Sequence, residues 1–296
     1  MQTSYAFISV YKQRIATLER QVQSVNEQQQ QAAKNNPHGP VEHRKLIQRF
    51  RQFLAEEEKF WTLFLVRFSR SFALEEAQPT LVALSILSTS ADGKIIEHTD
   101  TPIDRGRNHF QFPTESSTDV VPTSTVERQS RMAILSKALI CLGDIARYRE
   151  QYNEGGGRSK VGHDDVPARR GRNRRGGSID NILRPRNFDK SKQCYEQARF
   201  LVPNEGNPSH QLAIIANYQK DPFASLVHYY RALCVRQPYD TASENMGTLM
   251  TKALEHWKNK DHNRKDDLAM VPKIRIEALK EKEVVIHALW RIGSDK

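Results

Sequence analysis

The chain has 296 residues, 38% of them hydrophobic and 27% charged, with a net charge of +10. These are the values of a soluble globular protein long enough for one large domain or two small ones, and the basic excess suggests an acidic partner such as nucleic acid, a phosphoprotein or an anionic surface. No apolar run approaches the ~20 residues of a membrane span, and the amphipathic N-terminus MQTSYAFISVYKQRIATLER lacks the apolar stretch of a cleavable signal.

Ile8, Tyr11, Ile15, Leu18, Val22 and Val25 recur at alternating three and four spacing, which predicts one helix over residues 2 to about 30. A Gln run at 28–31 and the segment Asn35–Pro40 end it. A second long helix is predicted over 41–72, carrying an aromatic stripe of Phe50, Phe53, Phe60, Trp61, Phe64, Phe68 and Phe72. Joined by a short turn, the two form an antiparallel hairpin. A short helix at 77–87 follows. Residues 88–124 are Ser/Thr/Asp-rich and read as a long loop with a little strand around 109–112. Helical periodicity returns from Val126 to Tyr148.

Gly155–Gly157 stop that helix, and residues 154–186, with seven glycines and many arginines, have almost nothing to bury. They are expected to be disordered. Further helices are predicted at 188–201, 208–219, 222–236 and 241–258, then a charged linker at 259–272 and a last helix at 273–292. Nothing in the sequence obviously covers that apolar last helix, so the chain reads as a piece of a longer protein. The expected domains are a helical array over 1–258 and the start of a second unit over 259–296.

Tyr195, Ala198 and Pro203 match Tyr230, Leu233 and Pro238 at an offset of 35 residues, close to the tetratricopeptide period. The pair Leu142-Gly143 sits where that repeat places a Leu-Gly pair. The Gly/Arg-rich insertion would then split the first repeat between its two helices. A glycine there lets the partner helix approach closely. Two repeats cannot close a core alone, so they must pack on the N-terminal hairpin.

Cys141, Cys194 and Cys234 are far apart in apolar helical patterns without metal spacing, which points to buried thiols in a reducing compartment. No metal site and no cofactor is expected. The chain also has no phosphate-cradling Gly loop before a helix and no nucleophile elbow, so no enzymatic activity is expected either.

The segments CLGDIARYRE (141–150), YEQARFLVPNEGNPSHQLAIIANY (195–218) and HYYRALCVRQPYDTASENM (228–246) resemble the core of the ever-shorter-telomeres family. That family holds telomerase-activating proteins and the related nonsense-mediated-decay adaptors. RKLIQRFRQFLAEEEKFWTLFLVRF (44–68) fits its second long helix. The Gln-rich and Arg/Gly insertions look fungal. The resemblance implies an all-α, 14-3-3-like and tetratricopeptide-like antiparallel helical array, followed by the start of a helical-hairpin domain. It implies residence in cytoplasm and nucleus, and a groove that takes up phosphoserine or phosphothreonine of a phosphorylated RNA helicase. It leaves pairing with a related adaptor open.

By motif, the phosphate-holding residues fall in Tyr11-Lys12 and in the element Gly143, Asp144, Arg147, Tyr148. A dianionic phosphate suits a guanidinium fork joined to a lysine point charge. The helical stripes put Lys12 one step off the apolar face and Arg147 on a flank, with Asp144 one turn earlier to orient it. Arg14, Arg20 and Arg149 are candidate third cations. Where the family reads Tyr-Asn-Gln-Leu-Ala after Gly-Asn-Pro, this chain has Ser209-His210-Gln211, so His210 would replace an asparagine and bring a pH dependence. The rival reading is binding of telomerase RNA or single-stranded telomeric DNA. For it, Arg169, Arg170, Arg172, Arg174 and Arg175 offer cations but no aromatic ring. The same run also fits a nuclear-import signal.

Overall fold

Periodic apolar residues on the first two helices bury each other along a shared seam. In a computed structural model, which describes residues 2–28, 39–89, 95–97, 124–152, 186–259 and 272–294, α1 (Gln2–Gln28) packs on α2 (Gly39–Ser71). Ile8 and Ile15 of α1 are buried, as are Phe50 and Leu54 of α2, and Tyr11 stacks on Phe50 and Phe53 at 5.0 and 6.0 Å between ring centroids. Each fully buried side chain of this size contributes about 1.5–3 kcal/mol. Farther along α2, Phe60, Phe64, Phe68 and Phe72 form a half-buried ladder one helical turn apart, beside the fully buried Leu65.

A single 3-10 turn at Glu75–Ala77 leads into α3 (Gln78–Ala83). The helix stops short of the predicted 87 because Ser85 takes a left-handed φ of 54°. The chain then enters a small antiparallel ribbon, β1 (Leu87–Thr89) on β2 (Ile95–Glu97), with Leu87 opposite Glu97. This pairing begins at the end of the helix expected over 77–87 and runs into the segment 88–124, expected to be a long loop with strand only around 109–112. The β-branched Ile95-Ile96, with Asp92-Gly93 before them, is the hairpin signal in the sequence. The strand expected at 109–112 lies outside the described residues.

Ser124 caps α4 (Thr125–Gln151) through a reciprocal pair of bonds with Glu127. From Leu135 to Ile145 every residue of α4 except Lys137 is buried, because the helix runs between α2 and α5 (Asp189–Leu201). Gly143 makes this packing feasible. A Cβ there would lie 2.6 Å from Tyr195 Cε1, well inside contact distance, so the expected close approach is a helix crossing over Tyr195. α4 and α5 pair although the Gly/Arg-rich insertion separates them in sequence; residues 154–185 lie outside the described set.

α6 (Asn207–Tyr218), α7 (Pro222–Leu233), α8 (Thr241–Asn259) and α9 (Pro272–Ser294) complete the array, each helix packing on the next. The two proline-bearing turns of the repeat are tied together: Gly206 N donates to Gln237 O, and Tyr239 N to Ala232 O. Two hydrophobic clusters result and meet on α6, where Leu212 and Ile215 join the first and Ala213 the second. α9 shares the second cluster with α7 and α8 through Val284, Val285 and Ala288, and Tyr230 Oη lies 3.1 Å from His287 Nδ1. The limits of the clusters therefore do not coincide with the boundary expected at residue 258. The opposite face of α9 leaves Ile276, Leu279, Ile286 and Trp290 exposed. None of the described helices is long and apolar enough to cross a membrane.

Candidate functional site

The site is built where α1 meets the C-terminal half of α4. Tyr148 is half-buried there and has two cations near its ring. Lys12 Nζ of α1 lies 5.0 Å from its ring centroid, and the Arg147 guanidinium lies 4.7 Å from it. Both charges therefore engage one aromatic ring, a favourable arrangement for a cation near a π face.

Arg147 is buried, at 7% exposure, which differs from the flank position its helical stripe predicts. The reason is the all-round burial of α4: with α5 packed on that side, a flank position becomes an interior one. The charge survives because it is compensated. Arg147 Nη2 donates to Asp144 Oδ1 at 2.6 Å, and Nε donates to Tyr195 Oη at 3.3 Å. Burial alone would disfavour the cation, but Tyr195 and Asp144 outweigh it and hold the guanidinium pKa above its ordinary value.

Asp144 is the hub, itself 4% exposed. Its Oδ1 also accepts from Tyr195 Oη at 2.7 Å, and its Oδ2 accepts from Tyr5 Oη at 2.7 Å. Burial, and then the Asp144 carboxylate, push both phenol pKa values upward, so both tyrosines stay protonated donors. Tyr5 and Tyr195 were not among the site residues expected from sequence. Tyr5 precedes Lys12 by seven residues, two helical turns on one face, and Tyr195 is the tyrosine of the first repeat; both signals were available.

Among the other candidates, Tyr11 belongs to the α1–α2 aromatic seam. Arg149 is paired with Glu58, which also takes Lys190. Arg20 donates to the Ala16 carbonyl on its own helix, and Arg14 lines a separate groove with α2. His210 is 3% exposed, packed on Tyr239 at 4.7 Å, and its Nδ1 has no hydrogen-bond partner. Burial, helped by the nearby Arg147, lowers its pKa to about 4, so it is neutral at physiological pH. Arg169, Arg170, Arg172, Arg174 and Arg175 lie outside the described residues. Of the thiols, Cys141 and Cys194 are buried as expected and Cys234 is exposed. Among the described residues, no group of three or more His, Cys, Asp or Glu is arranged to hold a metal ion.

Residues 1–153 match a family model described as telomerase activating protein Est1, and residues 191–290 match one described as the Est1 DNA/RNA binding domain. The chain is 34% identical over 120 residues to the nonsense-mediated mRNA decay factor SMG7 of Arabidopsis thaliana. It is 26% identical over 158 residues to the telomerase-binding protein EST1A of Danio rerio, and 29% identical over 122 residues to SMG7 of Danio rerio. These alignments cover 40%, 52% and 41% of the chain but only 9%, 8% and 7% of the relatives' own lengths.

Proposed function

The chain belongs to the Est1 family of telomerase-activating proteins, and we propose that it is a non-catalytic adaptor binding a phosphoserine- or phosphothreonine-bearing segment of a partner. The partner on this reading is a phosphorylated RNA helicase of nonsense-mediated mRNA decay, met in cytoplasm and nucleus. The observation that carries the proposal is the approach of Lys12 and Arg147, from two different helices, to the one ring of Tyr148. A guanidinium has five N–H donors, so bonds to Asp144 and Tyr195 leave others for an incoming oxyanion. The Arg147–Asp144 pair is neutral overall, so the exposed Lys12 supplies the net positive charge that a dianion requires.

Fluorescence anisotropy with a phosphorylated Ser-Gln peptide and its unphosphorylated twin tests the proposal. Lys12→Glu leaves the buried network untouched and is expected to weaken phosphopeptide binding by about 10- to 100-fold, the worth of one charge-assisted bond. Equal weak binding of both peptides would remove the adaptor reading.

The match of residues 191–290 to a DNA/RNA-binding model favours a second reading, a telomerase-associated subunit contacting telomerase RNA or single-stranded telomeric DNA. Such binding falls steeply with salt. If the Gly/Arg-rich insertion carries it, deletion of residues 158–186 abolishes it and leaves phosphopeptide binding intact.

A further inference from the structure

A second concave site lies on the other side of the N-terminal hairpin. Arg14 and Leu18 of α1, with Glu42, Lys45, Leu46 and Arg49 of α2, line an open groove of about 250 Å³. Arg14 follows Lys12 by two residues, which on a helix is a turn of about 200°. The groove therefore faces away from Tyr148 and α4 and is separate from the site described above.

Its lining is asymmetric in charge. Three cations, all exposed, face a single carboxylate, and among the described residues none of Arg14, Lys45 or Arg49 has a hydrogen-bond or ion-pair partner. Lys45 and Arg49 stand one turn apart on α2, and Arg14 of α1 lines the same groove. The floor is aliphatic, Leu18 and Leu46, both half-buried, and no aromatic ring lines the groove for a base to stack on. Single-stranded nucleic acid is held by rings as well as cations.

We propose that this groove docks an acidic amphipathic peptide segment of a partner protein, with an aliphatic side chain on Leu18 and Leu46 and carboxylates on Arg14, Lys45 and Arg49. The apolar floor suits the apolar face of an amphipathic helix, and the three cations on its rim are complementary to an acidic one. It is independent of the phosphate reading, and the adaptor would then hold two segments by different chemistries.

The test uses the whole chain and two labelled helix-forming peptides. One has glutamates every three to four residues around two leucines, and its twin has glutamine at each glutamate. A short single-stranded RNA serves as the third probe. At low salt the acidic peptide binds measurably and its glutamine twin does not. Arg14→Glu/Arg49→Glu weakens the acidic peptide by at least about tenfold, the combined worth of a few exposed ion pairs, and Leu46→Ser weakens it as well. Both sites are at the surface, so circular dichroism should report unchanged folding, and Lys12→Glu should leave acidic-peptide binding intact. Equal binding of the two peptides, insensitivity to the double reversal, or preference for the RNA would overturn the proposal. Phosphopeptide binding that survives the double reversal supports the separateness of the sites; its loss would show that they are one surface.

Discussion

Asp144→Ala is the most informative single perturbation of this fold. The carboxylate accepts from Tyr5, Tyr195 and Arg147 at 2.7, 2.7 and 2.6 Å, and it neutralises a guanidinium that is itself only 7% exposed. Removing it strands a buried cation and the buried Tyr195 phenol, and takes the acceptor from the more exposed Tyr5. Breaking a buried pair from one side costs about 3–5 kcal/mol. At about 2–4 °C per kcal/mol for a chain of this size, the melting temperature should fall by roughly 10 °C. The partner variant Arg147→Met and the double variant complete a thermodynamic cycle, read by urea denaturation. The double variant should recover part of the loss, because no cation is then left buried without its carboxylate, while the Tyr195 hydroxyl still lacks its acceptor. A loss below about 1 kcal/mol in Asp144→Ala would mean the pair behaves as a surface salt bridge. Strict additivity in the double variant would show that the two residues are not coupled. Either result refutes the hub.

Other consequences follow from the same packing. Gly143→Ala puts a methyl group 2.6 Å from the Tyr195 ring; the overpacking should cost about 1–3 kcal/mol, and displacing Tyr195 should also weaken phosphopeptide binding, which anisotropy would read. Gly206→Ala places its Cβ 2.2 Å from the Ala232 backbone carbonyl. Backbone cannot step aside as a side chain can, so this variant should be destabilised and should lose amide protection in the turn between α7 and α8. His210 has a folded pKa of about 4 against an ordinary 6.5, so between those values the unfolded chain binds more protons. Its stabilising contribution is complete above pH 6.5 and is lost as pH falls toward 4, about 2 kcal/mol by pH 5. Urea titrations at pH 7.5 and 5 should show that slope in the native protein and a shallower one in His210→Asn.

The apolar spacing of the long helices, the glycine that lets α4 and α5 touch, and the prolines that end the repeat units are all local or near-local features. They fix which face of each element must be buried, and the chain folds accordingly. Lys12, Asp144, Arg147 and Tyr148 could be named from motif alone. The ribbon after α3 was legible in Asp92-Gly93 and Ile95-Ile96, but the surrounding Ser/Thr/Asp composition masked it.

Burial of a given polar residue was not legible, because it depends on what packs on the second side of its helix. Periodicity reports one apolar stripe; α4 is covered from two sides, by α2 and α5, and so Arg147 becomes an interior cation. The need for Tyr5 and Tyr195 arises only then, since an interior charge must find partners that water would otherwise supply. Likewise Arg14 and Lys12, two residues apart, could not be sorted until the bundle formed, with Lys12 beside Tyr148 of α4 and Arg14 in the groove with α2. Sequence determined the helices and the chemistry they carry, and tertiary packing decided which charges face one another, because proximity between distant residues is a property of the assembled bundle and of no single segment.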